Sequence, residues 1–81
     1  MTLLDLKEGQ TAEVRAVRGG REVLRRLNAF GLHAGRIIRM VKAAPFRGPL
    51  LVEDVESGGR TMLGRGLAGK VEVRHGPERA R

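Results

Sequence analysis

The side chains that could bind a metal ion are few and widely spaced. The only histidines are His33 and His75, and the chain contains no cysteine, so a metal site would need carboxylates to complete its ligands. The acidic run Glu53-Asp54-x-Glu56 alternates along a strand and places its carboxylates on both faces. We therefore predict no metal site. We expect His33 to lie just past the end of a helix, where a partly positive imidazole suits the negative end of the helix dipole.

The hydroxyl groups and the glycine-rich segment do not form a catalytic or cofactor site either. The sequence pattern places no base beside any serine or threonine, and nucleophilic catalysis requires one. The segment from Gly64 to Gly69 matches G-x-G-x-x-G, but the residues that follow (70–81) are too few for the long helix and the acidic residue of a dinucleotide site. We predict that the chain is not an enzyme, binds no cofactor, and uses these glycines as corners between strands.

The charge of the chain either favours an anionic partner or serves ordinary solubility. Sixteen Lys and Arg residues against nine Asp and Glu give a net charge of +7 at pH 7, which suits nucleic acid, an anionic membrane surface or an acidic protein. Phe30 and Phe46 are the only aromatic residues, which disfavours single-stranded nucleic acid because its bases usually stack on aromatic rings. The N-terminus lacks the pattern of a signal peptide, and no apolar segment is long enough to cross a membrane. We expect a cytoplasmic location.

One short helix organises the elements that position these residues. Val23, Leu27 and Phe30 recur at the helical period, which predicts a helix over residues 21–30 with these three side chains on its buried face. Gly31 followed by Leu32 is typical of a glycine cap at the C-terminus of a helix. The rest of the chain is expected to form a sheet that buries this helical stripe.

Alternating apolar residues predict five short strands separated by turns rich in glycine and proline. In the first strand, Ala12, Val14 and Ala16 are expected to face inward. The strands are predicted at Thr11–Val17, Arg36–Lys42, Leu50–Val55, Thr61–Leu63 and Lys70–Arg74. Closure into a barrel would remove the exposed edges of such a sheet. The sequence thus predicts a mainly β fold with one short helix, a small five-stranded SH3-like barrel in a single domain over residues 1–75, and a flexible C-terminal tail over residues 76–81.

The remaining candidate functional residues are those that could contact a partner. Leu24 lies about 60° outside the buried stripe of the helix, so it is either the edge of that stripe or an exposed contact. Phe46 stands in a loop between two prolines, where it either folds back over the mouth of the barrel or contacts a partner. The candidate partner-binding residues are Leu24, Arg25, Asn28, His33, Phe46 and Arg47.

Four groups of residues match a known family in order and spacing. They are Leu6-Lys7-Glu8-Gly9, Leu27-x-x-Phe30-Gly31-Leu32-x-x-Gly35, Gly48-Pro49-Leu50-x-Val52 and Leu63-Gly64-x-x-Leu67-Ala68-x-x-Val71-x-Val73. With them the chain resembles ferrous iron transport protein A (FeoA) from about Leu4 to Val73. The C-terminal SH3-like domain of iron-dependent repressors is related to this family, and the chain resembles the stand-alone protein.

The resemblance implies an SH3-like barrel and an accessory role beside the membrane ferrous iron transporter FeoB, whose cytoplasmic part binds guanine nucleotide. It implies no catalytic residues. We predict a small cytoplasmic protein that docks on the cytoplasmic part of FeoB and modulates the transporter. Two alternatives stay open: an SH3-like nucleic-acid-binding module that uses the basic surface, and direct sensing of Fe²⁺ through His33 or the acids near Glu53.

Overall fold

The computed structural model describes residues 1–76, so the tail predicted over residues 76–81 lies outside the described residues except for Gly76. A 3₁₀ turn over Leu3–Asp5 precedes the first strand. The strands and helices that follow are β1 Thr11–Val17, α1 Arg21–Ala29, β2 Ile37–Ala43, β3 Leu50–Asp54, β4 Arg60–Leu63, α2 Arg65–Ala68 and β5 Val71–His75. The predicted strands and helix are confirmed to within one residue at each end. Neither of the two helices in this range is long and apolar enough to cross a membrane.

The five strands form one antiparallel sheet in the order β4-β3-β2-β1-β5. The fold is mainly β and SH3-like, as predicted, with the one nine-residue helix α1 and the single turn of α2. The sequence predicted closure into a barrel. In the described part of the chain the edge strands β4 and β5 do not pair with each other, so hydrogen bonds do not close the sheet. The N-terminus covers the edge of β5 instead, because Val73 N–H donates to the Met1 carbonyl oxygen at 2.8 Å and Thr2 forms a bridge with Glu72.

A single hydrophobic core receives side chains from every strand, from both helices and from the N-terminal turn. The residues buried in this core are Leu3, Leu6, Ala12, Val14, Leu27, Leu32, Ile38, Met40, Leu50, Val52, Leu63, Ala68, Val71 and Val73. Val71 and Val73 face inward in β5, as the alternation predicts. Hydrophobic burial of this kind is the main favourable contribution to folding, and it fixes which strand faces remain available on the outside.

A β-bulge in β1 changes which residues face the core. The pairing of β1 with β5 shifts by one residue between Val14 and Ala16. Beyond the shift Ala16 is exposed and Val17 packs partly against the core. The prediction that Ala16 faces inward is therefore wrong, because strict alternation holds only while the register is kept.

The glycine cap of α1 is confirmed and explains a second difference. Gly31 has a positive φ of 81°, its N–H donates to the Asn28 carbonyl oxygen, and Leu32 N–H donates to the Leu27 carbonyl oxygen, each at 2.9 Å. These two bonds define a Schellman motif. The cap turns Leu32 into the core and leaves Phe30 42% exposed, so the prediction that Phe30 lies on the buried face is wrong.

Candidate docking surface

The outward side of α1 presents a leucine among polar side chains. Leu27 is buried and Val23 partly buried, which fixes the rotation of the helix against the sheet. Leu24 lies at the edge of this buried stripe and is 44% exposed, while Arg25 and Asn28 are exposed. Nearly half of the Leu24 side chain is thus available to a partner. We call Leu24, Arg25 and Asn28 the helix patch.

Local interactions hold the helix patch in place. The chain enters α1 at Gly20, whose carbonyl oxygen accepts a hydrogen bond from Leu24 N–H at 3.1 Å. Glu22, in the first turn, suits the positive end of the helix dipole and pairs with Arg25 at 2.5 Å. The Schellman motif then ends the helix directly after Asn28 and Ala29.

His33 lies exposed in the turn that joins α1 to β2. Its carbonyl oxygen accepts a hydrogen bond from Arg36 N–H at 3.2 Å, and Arg36 in turn pairs with Asp54 at 2.7 Å. Burial alone would raise the pKa of the Asp54 carboxyl, but hydrogen bonds from the Arg36 side chain and from the backbone of Ser57 and Glu56, together with the charge of Arg36, lower it. The same hydrogen bond raises the pKa of Arg36. This ion pair fastens the turn that carries His33 to the end of β3.

The acidic run that the sequence offers for Fe²⁺ is occupied by arginines. Glu53 Oε1 lies 3.3 Å from Arg39 Nη1. Glu56 Oε1 lies 3.3 Å from Arg36 Nη1, and the same arginine pairs with Asp54. Among residues 1–76 no group of three or more His, Asp or Glu side chains is arranged to hold a metal ion. The described side chains therefore provide no ligand set for the Fe²⁺-sensing alternative.

The loop between β2 and β3 presents an aromatic ring at its tip. Gly48 N–H donates to the Pro45 carbonyl oxygen at 3.1 Å, and the two residues between them, Phe46 and Arg47, have positive φ values of 58° and 62°. This is the pattern of a type I′ turn, which normally takes asparagine and glycine at these two positions. Phe46 is 98% exposed, so it does not fold back over the mouth of the barrel. We call Phe46 and Arg47 the loop patch.

The structure places the candidate residues in separate patches. The helix patch lies on the exposed side of α1, which contacts β1, whereas the loop patch extends from the β2–β3 turn. In the described chain no hydrogen bond or ion pair joins the two patches. Sequence reasoning missed Met62, which is 62% exposed on β4. The sequence could have indicated this exposure, because side chains alternate along Thr61–Leu63 and an inward Leu63 requires an outward Met62.

Comparison with known proteins places this chain in a family. The FeoA domain model matches residues 1–75. A crystal structure of an iron uptake regulatory protein (FeoA) is 30% identical, with a TM-score of 0.81 over 91% of this chain and 93% of that chain. The solution structure of a FeoA protein from Chlorobium tepidum is also 30% identical, with a TM-score of 0.84 over 98% of this chain and 73% of that chain. A search of curated proteins gave no match.

The same fold occurs in a larger type of protein. A manganese-dependent transcriptional repressor in complex with manganese is 22% identical and has a TM-score of 0.84, over 93% of this chain but only 36% of the repressor. At this identity the likeness shows the fold alone.

The strand order and the single core define a small SH3-like β domain. The match over residues 1–75 and the two structures at 30% identity also identify the family. The chain belongs to the FeoA family. Membership supports a role in ferrous iron transport, and the family is one of accessory transport proteins rather than known enzymes.

Proposed function

We propose that this protein is a cytoplasmic accessory protein of ferrous iron uptake that docks on the cytoplasmic part of a FeoB-type membrane transporter and modulates it. The helix patch makes the central contact, the loop patch makes a second contact, and His33 lies at the border of the helix patch. Family membership supports the transport context. The chemistry of the exposed residues supports protein docking rather than catalysis.

The observation that carries the proposal is the exposure of Leu24. Its side chain is 44% exposed on a short helix whose two ends are fixed by backbone hydrogen bonds. A backbone that is already ordered loses little conformational entropy when the side chain that it carries docks. Flanking polar groups such as Arg25 and Asn28 can then fix the orientation of the partner. This combination of an apolar anchor and a polar rim is typical of protein interfaces.

The charge of the chain contributes to the approach rather than to the contact itself. A net charge of +7 accelerates association with an acidic surface, and rim charges act mainly on the association rate. We therefore expect the association rate with the transporter's cytoplasmic domain to fall as salt is added, with a smaller effect on the dissociation rate.

The experiment compares two leucine variants that remove the same side chain from equally exposed positions. Leu24→Gln changes the helix patch, and Leu4→Gln changes a leucine that is 42% exposed in the N-terminal turn. Binding to the purified cytoplasmic domain of the transporter is measured by biolayer interferometry, with and without guanine nucleotide. We expect Leu24→Gln to weaken binding by about tenfold or more and Leu4→Gln to leave it within about twofold. Circular dichroism confirms that both variants are folded.

Two results would overturn the proposal. Wild-type affinity of the Leu24→Gln variant would remove the helix patch from the interface. Failure of the wild-type chain to bind the cytoplasmic domain in any nucleotide state would remove the transporter as the partner.

A further inference from the structure

A shallow groove lies on the outer face of the sheet at the end that carries the loop patch. Its volume is about 180 Å³. Its floor is formed by three cross-strand neighbours, because Lys42 opposes Leu51 and Leu51 opposes Met62. The residues that line it are Lys42, Ala44, Pro45, Pro49, Leu51 and Met62. Apart from the lysine they are all apolar, and we call this feature the outer groove.

The outer groove is bordered by the open edge of the sheet. Asp54 N–H donates to the Gly59 carbonyl oxygen at 2.8 Å, and the pairing continues in register with Arg60 opposite Glu53. Hydrogen-bonded and non-hydrogen-bonded pairs alternate along an antiparallel ladder, so the N–H and C=O groups of Arg60 and Met62 point away from β3. Within residues 1–76 no strand covers this edge, whereas the N-terminus covers the edge of β5. An extended peptide can add to such an edge through main-chain hydrogen bonds.

One arginine lies on this edge two residues before Met62, and a second arginine follows the strand at the start of α2. Arg60 is 55% exposed at its side chain and lies 3.9 Å from Glu53, a carboxylate already shared with Arg39. Arg65 follows β4 directly, and its Nε donates to the Gly48 carbonyl oxygen at 3.1 Å. In the described chain Arg65 has no carboxylate partner. The edge therefore presents a cation, Arg60, and an apolar side chain, Met62, on one face of β4, whereas Arg65 lies beyond the end of the strand in α2.

We propose that the open edge of β4 and the outer groove bind an extended acidic segment of a partner protein, which adds to the sheet as a further strand. An apolar side chain of the segment packs against Met62. Side chains two residues apart share a face of a strand, so a carboxylate two residues from that apolar residue faces Arg60. The recognised pattern is an acidic and an apolar residue separated by one residue.

Charge complementarity selects this occupant over a second copy of the chain. Two copies carry a net charge of +7 each and would bring their edge arginines together, and a charge on an edge strand is a common means of preventing self-pairing. An acidic segment turns Arg60 into a favourable cross-strand neighbour. The inference deepens the proposed function by naming the chemistry of a partner segment. It rests on the proposed function in one respect, namely that the partner is a protein.

The test uses the intact chain and dye-labelled synthetic peptides of about eight residues, a common strand length. In one peptide glutamate alternates with leucine, and in a second peptide lysine alternates with leucine. A third peptide has the composition of the first but groups all its glutamates at one end. Fluorescence anisotropy gives the affinities. We expect saturable binding of the alternating glutamate peptide and at least about tenfold weaker binding of the other two.

Variants locate the site. Met62→Glu places a carboxylate at the centre of the edge and is expected to weaken binding by about tenfold or more. Val55→Glu makes the same kind of change at a side chain that is 40% exposed beyond the other end of β3 and is expected to have no effect. Arg60→Gln is expected to weaken binding and to reduce its salt dependence. Leu24→Gln is expected to bind the peptide normally, which separates this inference from the proposed contact of the helix patch.

The inference is overturned by any of four results. They are the absence of saturable binding, equal affinity for the lysine peptide, unchanged affinity of Met62→Glu, and displacement of the peptide by a single-stranded oligonucleotide at equal affinity. Self-association of the wild-type chain that Met62→Glu abolishes, measured by sedimentation, would assign the edge to a second copy and also overturn it.

Discussion

Replacement of Gly31 by alanine isolates the contribution of the helix cap that positions the helix patch. Gly31 has a φ of +81°, and an added Cβ would meet nothing within 4 Å, so the cost of the change is conformational rather than steric. The left-handed conformation costs an L-residue about 1–2 kcal/mol. Loss of glycine's freedom in the unfolded chain returns about 0.4–1 kcal/mol of this. We expect Gly31→Ala to lower the free energy of unfolding by about 1 kcal/mol.

Gly66 provides a matched control for the same chemical change. It lies inside α2, its φ is not positive, and an added Cβ there also meets nothing within 4 Å. Alanine is favoured over glycine within a helix by about 0.5–1 kcal/mol, so Gly66→Ala is expected to stabilise the protein. For a domain of this size 1 kcal/mol shifts the Tm by about 4–8 °C. Thermal and urea unfolding, followed by circular dichroism, should therefore move in opposite directions for the two variants.

The comparison can refute the reasoning directly. If Gly31→Ala is as stable as the wild type, or moves in the same direction as Gly66→Ala, the Schellman motif does not fix the end of α1. In that case the orientation of Leu24 would rest on the packing of Leu27 and Val23 alone.

Three further predictions concern the core, the loop patch and pH. Leu27→Ala removes a fully buried side chain and should lower the free energy of unfolding by about 2–5 kcal/mol; a smaller loss in urea unfolding would show that α1 is not packed on the core. Changing Phe46 and Arg47 together to asparagine and glycine should raise the free energy of unfolding by about 1 kcal/mol, because both positions have positive φ. The same change should weaken binding to the transporter's cytoplasmic domain. A fall in Tm or unchanged binding would contradict this prediction. The lowered pKa of Asp54 stabilises the folded state above the pKa of about 3.9 found in unfolded chains, and this contribution is lost as the pH falls through the lower folded pKa. Asp54→Asn should therefore show a shallower loss of stability on acidification than the wild type, and an equal slope would contradict the assignment.

The elements that depend on local signals were predictable from the sequence. The pair Gly31-Leu32 defines the end of α1 by itself, because a positive φ and an adjacent hydrophobe suffice for the cap. The outward direction of Leu24 follows from helical geometry once Leu27 is buried. The predicted strands agree with the structure for the same reason, since short alternating segments between glycine turns have few alternative interpretations.

Features that depend on pairing between distant strands were not predictable. The outward turn of Ala16 results from a bulge in the pairing of β1 with β5, which no local pattern signals. The outer groove requires Lys42, Leu51 and Met62 to be neighbours, and their adjacency follows from the register of three strands. The open edge of β4 could not be anticipated either, because closure of the barrel was the simpler expectation for five short strands.

The most direct test of the proposed docking function is an amide chemical-shift titration of the isotope-labelled chain with the transporter's cytoplasmic domain. We predict that the largest changes lie in α1 around Leu24, Arg25 and Asn28 and in the loop around Phe46 and Arg47. A smaller set of changes is expected near His33. Changes confined to other surfaces, or a spectrum that stays the same at saturating concentrations of the domain, would contradict the account.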